Sequence, residues 1–182
     1  MTMKVLPARA WPNVQLVLSM LTVLLGALAI TPANAEIISI SGAAFIQQCP
    51  CAPSGGIPTL DRGVLKPTDV SKFYVDVPFP TGGQKICSLS IVYQDINAND
   101  NMTARLFRKK FALGGNVFNN PVAIATVSSA NGVVQQVRKA TTTAVNPRAI
   151  SKGDSFYYVE VFFPTINVNL IGVQIDHRPT CP

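Results

Sequence analysis

The chain has 182 residues, 48% of them hydrophobic, with 15 Lys and Arg against 9 Asp and Glu for a formal charge of +6. That is enough for one domain with a real core, and a positive balance of this size selects no partner. One histidine, and no G-x-S-x-G or H-E-x-x-H run, leave no recognised catalytic signature.

Lys4 and Arg9 precede residues 14–30, an apolar run interrupted only by Gln15, Ser19 and Thr22. Pro32 stops any helix, and Ala33-Asn34-Ala35 offers the small residues a signal peptidase reads. The pattern predicts a secretory signal peptide over 1–35, cut between Ala35 and Glu36. The competing reading is an uncleaved anchor, because the run is near membrane-spanning length. Cleavage leaves a single domain, 36–182, with 13 basic against 9 acidic residues. That domain is expected to be periplasmic or secreted and not to span a membrane.

Period-two alternation then recurs along the chain. In 72–79, Phe73, Val75, Val77 and Phe79 share one face, opposite Lys72, Tyr74 and Asp76. In 85–93, Cys87, Leu89, Ile91 and Tyr93 oppose Ser88 and Ser90. In 156–163, Tyr157, Val159, Val161 and Phe163 oppose Glu160, and in 167–176, Ile171, Val173 and Ile175 oppose Asn169, Gln174 and Asp176. Each has one face to bury, the mark of an antiparallel sheet. Less regular runs lie at 37–41, 43–47, 103–109, 122–128 and 133–140. Asn131-Gly132 between Val127 and Val133 predicts a hairpin, and so does the Asn/Asp-rich stretch 95–101. No stretch of the exported part shows a convincing helical period. Eight or nine short strands at this spacing predict an antiparallel β-sandwich, jelly-roll-like in type.

Two stretches depart from the pattern. Residues 49–71 hold Pro50, Pro53, Pro58, Pro67, Gly55, Gly56 and Gly63, a composition that predicts an irregular loop. In 103–111, Leu106 and Phe107 face opposite ways and Arg108, Lys109 and Lys110 follow, which reads as a strand that bulges or ends near Arg108, with cations guarding an exposed edge. The basic run lacks the interleaved aromatics and further cations of a nucleic-acid surface, so no nucleic acid is expected.

Ser155-Phe156-Tyr157-Tyr158-Val159-Glu160-Val161 followed by Leu170-Ile171-Gly172-Val173-Gln174-Ile175 resembles the closing strand pair of β-sandwich modules in uncharacterised secreted bacterial proteins. Ser88-Leu89-Ser90-Ile91-Val92-Tyr93 followed by Thr103-Ala104-Arg105-Leu106 is similar to their central hairpin. The resemblance covers roughly residues 72–176. It implies a jelly-roll-like fold and brings no enzymatic activity and no site with it.

The four cysteines, Cys49, Cys51, Cys87 and Cys181, are an even set in an exported chain, which predicts two disulfides. A Cys49–Cys51 ring would strain around Pro50, so the expected pairing takes these two to Cys87 and Cys181. His177 is expected to be an ordinary surface or loop residue. Asp95, Asn97, Asn99 and Asp100 concentrate hard oxygens in one turn, so calcium is the single cofactor considered. Asp100 stands where a calcium loop wants Gly, and Leu106 where it wants Glu. Tyr74 and Tyr158 fall on the non-core faces of their strands, where they would either pair with each other or stack on a ligand.

The sequence therefore predicts a non-enzymatic binding or structural module of the envelope or exterior, with a glycan or envelope component as partner. The alternative is a hydrolase-type or thiol enzyme with a site assembled from scattered residues, Asp76 and Glu160 among them. An exposed aromatic strip would favour the binder, and a cleft of convergent polar groups the enzyme.

Overall fold

Alternating apolar residues make one-sided strands, and a computed structural model shows how these strands stack. It describes residues 35–48, 58–80, 83–97, 99–111, 120–129, 135–151 and 153–182. Residues 1–34 of the expected leader, Cys49, Cys51 and Asn131-Gly132 lie outside the described residues.

Eleven strands form among the described residues: β1 (Glu36–Ser41), β2 (Ile46–Gln47), β3 (Thr59–Asp61), β4 (Val64–Lys66), β5 (Ser71–Asp76), β6 (Lys85–Asp95), β7 (Thr103–Lys110), β8 (Val122–Ser128), β9 (Val137–Thr142), β10 (Ser155–Phe163) and β11 (Val168–Arg178). A three-residue 3-10 turn, Gly42–Ala44, is the only helical element among them. The first sheet runs β3-β4-β11-β6-β9, with β1 also paired to β11, and the second runs β2-β5-β10-β7-β8. Every pairing is antiparallel.

The two sheets face each other across a continuous apolar core. Leu89, Ile91, Tyr93, Leu170, Val173 and Ile175 come from the first sheet, and Phe73, Leu106, Val159, Val161 and Phe163 from the second, all essentially inaccessible. Phe73 and Phe163 meet edge to face at 5.6 Å. At Gly42 the chain leaves the first sheet for the second, and a Cβ there would sit 2.3 Å from the Leu170 carbonyl oxygen. Only glycine lets the backbone pass so close.

Several expectations are corrected by this arrangement. The stretch 49–71 is not wholly irregular: β3 and β4 form a hairpin whose turn places Arg62 (φ 52°) and Gly63 (φ 85°) in the left-handed region. That two-residue geometry matches strand twist, so a short hairpin survives amid prolines. Strand β7 is no edge over most of its length, since β10 and β8 pair with it on either side. The register on β8 shifts between Leu106 and Phe107 and stops at Arg108, so the expected bulge is there, and among the described residues only Lys109 and Lys110 border β10 alone. The expected hairpin at 95–101 is not a hairpin, because β6 and β7 belong to different sheets and the connection crosses between them. Strands β8 and β9 likewise belong to different sheets.

The cysteine pairing differs as well. Cys87 bonds to Cys181, not to the 49–51 segment. The register of β11 on β6 sets Arg178 opposite Lys85, which delivers Cys181 to the start of β6. The link spans 94 residues of sequence and fastens the C-terminal tail to a core strand. His177 is likewise not a surface residue. It is fully buried in β11, packed edge to face against Phe79 at 5.6 Å, with Nδ1 hydrogen-bonded to the Gln84 side chain.

Candidate functional site

Strand β10 lies between β5 and β7, so its outward residues have neighbours on both sides. Tyr158 stands opposite Asp76 and Phe107, Glu160 opposite Tyr74 and Arg105, and Phe156 opposite Lys109. The outward sides of these three strands thus fall in rows, and the rows are rich in rings.

Phe107 and Tyr158 stack at 5.1 Å with their planes 13° apart. Tyr74 lies 5.9 Å from Tyr158 on one side, and Phe156 lies 6.2 Å from it along the strand. Phe111 continues the line 5.3 Å from Phe156, and Lys109 Nζ sits 5.7 Å above the Phe156 ring. Tyr74, Phe107, Phe156 and Tyr158 are half-buried, and Phe111 is 53% exposed. The result is a connected aromatic strip on the solvent side of the second sheet.

Glu160 anchors one end. It faces outward yet is 6% exposed, because its neighbours close over it. The Tyr74 hydroxyl donates to Oε2 at 2.8 Å, Lys72 Nζ approaches the same oxygen at 3.4 Å, and Arg105 reaches Oε1 at 3.8 Å. Burial, and then the hydrogen bond to this carboxylate, hold the Tyr74 phenol well above its ordinary pKa. Tyr158 is raised too, by burial first and by Glu160 second. Both phenols therefore stay neutral well beyond physiological pH.

At the other end the strip runs into a cavity of about 480 Å³, lined by Phe111 and Phe156 together with Asp76, Phe79, Ser151 and Ser155. Beside it the Asp154 carboxylate accepts the Ser151 and Ser155 hydroxyls at 2.5 and 2.9 Å, which hold its pKa down.

The structure brings Tyr74 and Tyr158 together, so the pairing and the exposed platform coexist in one feature. Sequence reasoning missed Phe107, Phe156 and Phe111 as their companions. The signal was present for two of them: a buried Leu106 and Tyr157 force Phe107 and Phe156 outward. Of the oxygen-rich turn, Asn97 and Asn99 are exposed, the Asn97 side chain accepting the Asn99 N–H at 3.2 Å. Asp95 points into the interior, and Asp100 accepts Asn167 Nδ2 at 2.6 Å. Among the described residues no three His, Cys, Asp or Glu side chains converge. No helix of the described residues is long and apolar enough to cross a membrane.

No protein-family model matches the sequence, and no curated protein matches it. Solved structures do resemble it. The C-terminal CBM6 of LamC from Zobellia galactanivorans superposes with a TM-score of 0.44 at 15% identity, over 77% of this chain and 98% of that one. A xylan-binding module, CBM15, gives 0.49 at 11% identity, over 79% and 97%. The tryptic core of a Bacillus thuringiensis Cry1Da variant gives 0.47 at 12%, over 77% and 23%. These likenesses carry no ligand, activity or residue role to this chain. Its description as an antiparallel β-sandwich rests on its own two sheets.

Proposed function

We propose that this chain is an exported binding module that takes glycans on the outer face of its second sheet. The observation that carries the reading is the strip formed by Tyr74, Tyr158, Phe107, Phe156 and Phe111. Single exposed apolar residues are ordinary, but a contiguous row of rings is costly to leave in water and marks a contact surface. A pyranose offers a C–H face that packs on such rings and hydroxyls around its rim. Lys72, Arg105 and Asp76 are exposed at the edges of the strip, where they can exchange hydrogen bonds with those hydroxyls. Export rests on residues 1–35, with cleavage between Ala35 and Glu36.

The test is affinity electrophoresis through gels containing plant, algal or bacterial-envelope polysaccharides. At least one should retard the wild-type protein, and Tyr158→Ala and Phe107→Ala should each weaken that retardation by about tenfold or more, as loss of a central aromatic contact does. Migration unaffected by every polysaccharide, or retardation equal in both variants, would sink the idea. N-terminal sequencing of protein recovered from the host tests export: a start at Glu36 is expected, and a full-length chain held in the membrane contradicts it.

A further inference from the structure

Asp95 is the last residue of β6. It continues the inward series Leu89, Ile91 and Tyr93, and like them it is fully buried. Among the described residues neither of its carboxylate oxygens has a hydrogen-bond partner. Buried carboxylates are ordinarily paired, hydrogen-bonded or metal-bound, because a desolvated charge without compensation is strongly unfavourable. Burial raises the Asp95 pKa above the ordinary carboxylate value, with Arg138 on β9 favouring the ionised form and Asp100 opposing it.

The surroundings are built from two turns locked together. Ile96 N–H donates to the Asn167 carbonyl oxygen at 2.7 Å, and Asn167 Nδ2 donates to Asp100 Oδ2 at 2.6 Å. This ties the connection after β6 to the one between β10 and β11. The second turn contributes Thr165, whose Oγ1 is also buried without a partner. The approach to β9 is pinned here too, with Gln135 N–H donating to the Asp95 carbonyl oxygen at 2.8 Å. Orphaned hard oxygens from two separate turns therefore gather at one end of the sandwich.

We propose that this end of the sandwich binds Ca²⁺, with Asp95 as the principal charged ligand and Asp100 and the Thr165 hydroxyl as neighbouring oxygens. All the donors are oxygen, which suits a hard cation and not zinc. With two carboxylates in the set, neutral oxygens must complete it, and Ca²⁺ tolerates such mixed, irregular coordination where Mg²⁺ demands a regular octahedron. The site differs from the one the 95–97–99 spacing predicts, because Asn97 and Asn99 face solvent. It is also independent of the aromatic strip, so it stands or falls apart from glycan binding.

The experiment is thermal unfolding of the purified protein in EGTA, then with millimolar CaCl₂ or MgCl₂. Calcium should raise the wild-type Tm by roughly 5–10 °C, since a ligand at many times its Kd stabilises the state that binds it, and magnesium should do far less. Asp95→Asn should abolish the calcium shift while melting in EGTA at or above wild type, because it removes a buried charge. Thr165→Val, which keeps the side-chain shape, should weaken calcium affinity measured by calorimetry at least threefold, and it serves if the Asp95 variant does not fold. A wild-type Tm unmoved by calcium overturns the proposal, as does an undiminished shift in Asp95→Asn or unchanged affinity in Thr165→Val. In those cases Asp95 is not a calcium ligand.

Discussion

The two outward faces of the sandwich are made by strands with the same alternation, yet they differ in kind. On the first sheet the outward polar residues satisfy one another, and exposed apolar ones such as Ile37 and Val137 stand on different strands. Ser90 Oγ and Thr141 Oγ1 hydrogen-bond at 2.9 Å, and Lys139 Nζ donates to Gln174 Oε1 at 2.7 Å. On the second sheet the corresponding positions carry stacked rings, with charges at the margins. Folding needs the inward faces to be apolar and makes no such demand of the outward ones. The outward face of the first sheet has no ring contacts of this kind among the described residues. The second does, and that difference is the argument for a ligand.

The sharpest test compares two positions on one strand. Phe163 points inward against Phe73, so Phe163→Ala should cost about 3–5 kcal/mol in chemical denaturation. Tyr158→Ala, five residues earlier and outward, should cost about 1 kcal/mol and spend its effect on ligand affinity instead. Equal destabilisation by the two would mean that the ring strip is structural.

Next in size is the Cys87–Cys181 link. Replacing both cysteines with serine should destabilise by about 2–5 kcal/mol, because a long closed loop is released in the unfolded chain. Glycan binding should persist under native conditions, since neither cysteine lies on the second sheet. Mapping of unreduced peptides should recover the two cysteines in one linked pair, and a linkage of either to the 49–51 segment would contradict the structure.

A smaller effect is expected from Tyr74 in alkali. Its folded pKa lies above the ordinary phenol value near 10, so the stability it contributes is complete below pH 10 and is lost as pH rises beyond it. Tyr74→Phe should therefore show a shallower loss of stability above pH 10 than wild type. Glu160→Gln should bring the Tyr74 transition, followed by phenolate absorbance, back towards 10. An unchanged titration would show that the Glu160 hydrogen bond does not hold the ring. The least effect belongs to the first sheet: Thr141→Val should change stability by about 0.5 kcal/mol or less and leave binding untouched.

Much of the second sheet was legible in the residues. The alternation at 72–79 and 156–163 placed Phe73, Val161 and Phe163 inside and Tyr74 outside, as observed. Tyr158 followed from the same parity. The rest of the site was hidden because period two says which face a residue occupies and nothing about which strand lies alongside. Phe107 became Tyr158's partner through the register of β7 on β10. Residues 103–111 looked like an edge because three consecutive cations suggest exposure; β7 is paired on both sides as far as Arg108, and Lys109 and Lys110 pair with β10.

The same limit explains the cysteines, the histidine and the turns. Oxygen density marked 95–101 as unusual, but only the arch between sheets turned Asp95 inward and brought Thr165 to the same end. By itself the sequence determined the all-β class and the buried faces of β5, β6 and β10, since these follow from local alternation. It did not show the β3–β4 hairpin or the bulge in β11 that puts Leu170 inside in place of Ile171. The tertiary structure alone decided sheet membership, the Cys87–Cys181 pair, the burial of His177 and the gathering of the rings. These depend on contacts between residues far apart in the chain, which the energy of the whole core selects and no local pattern encodes.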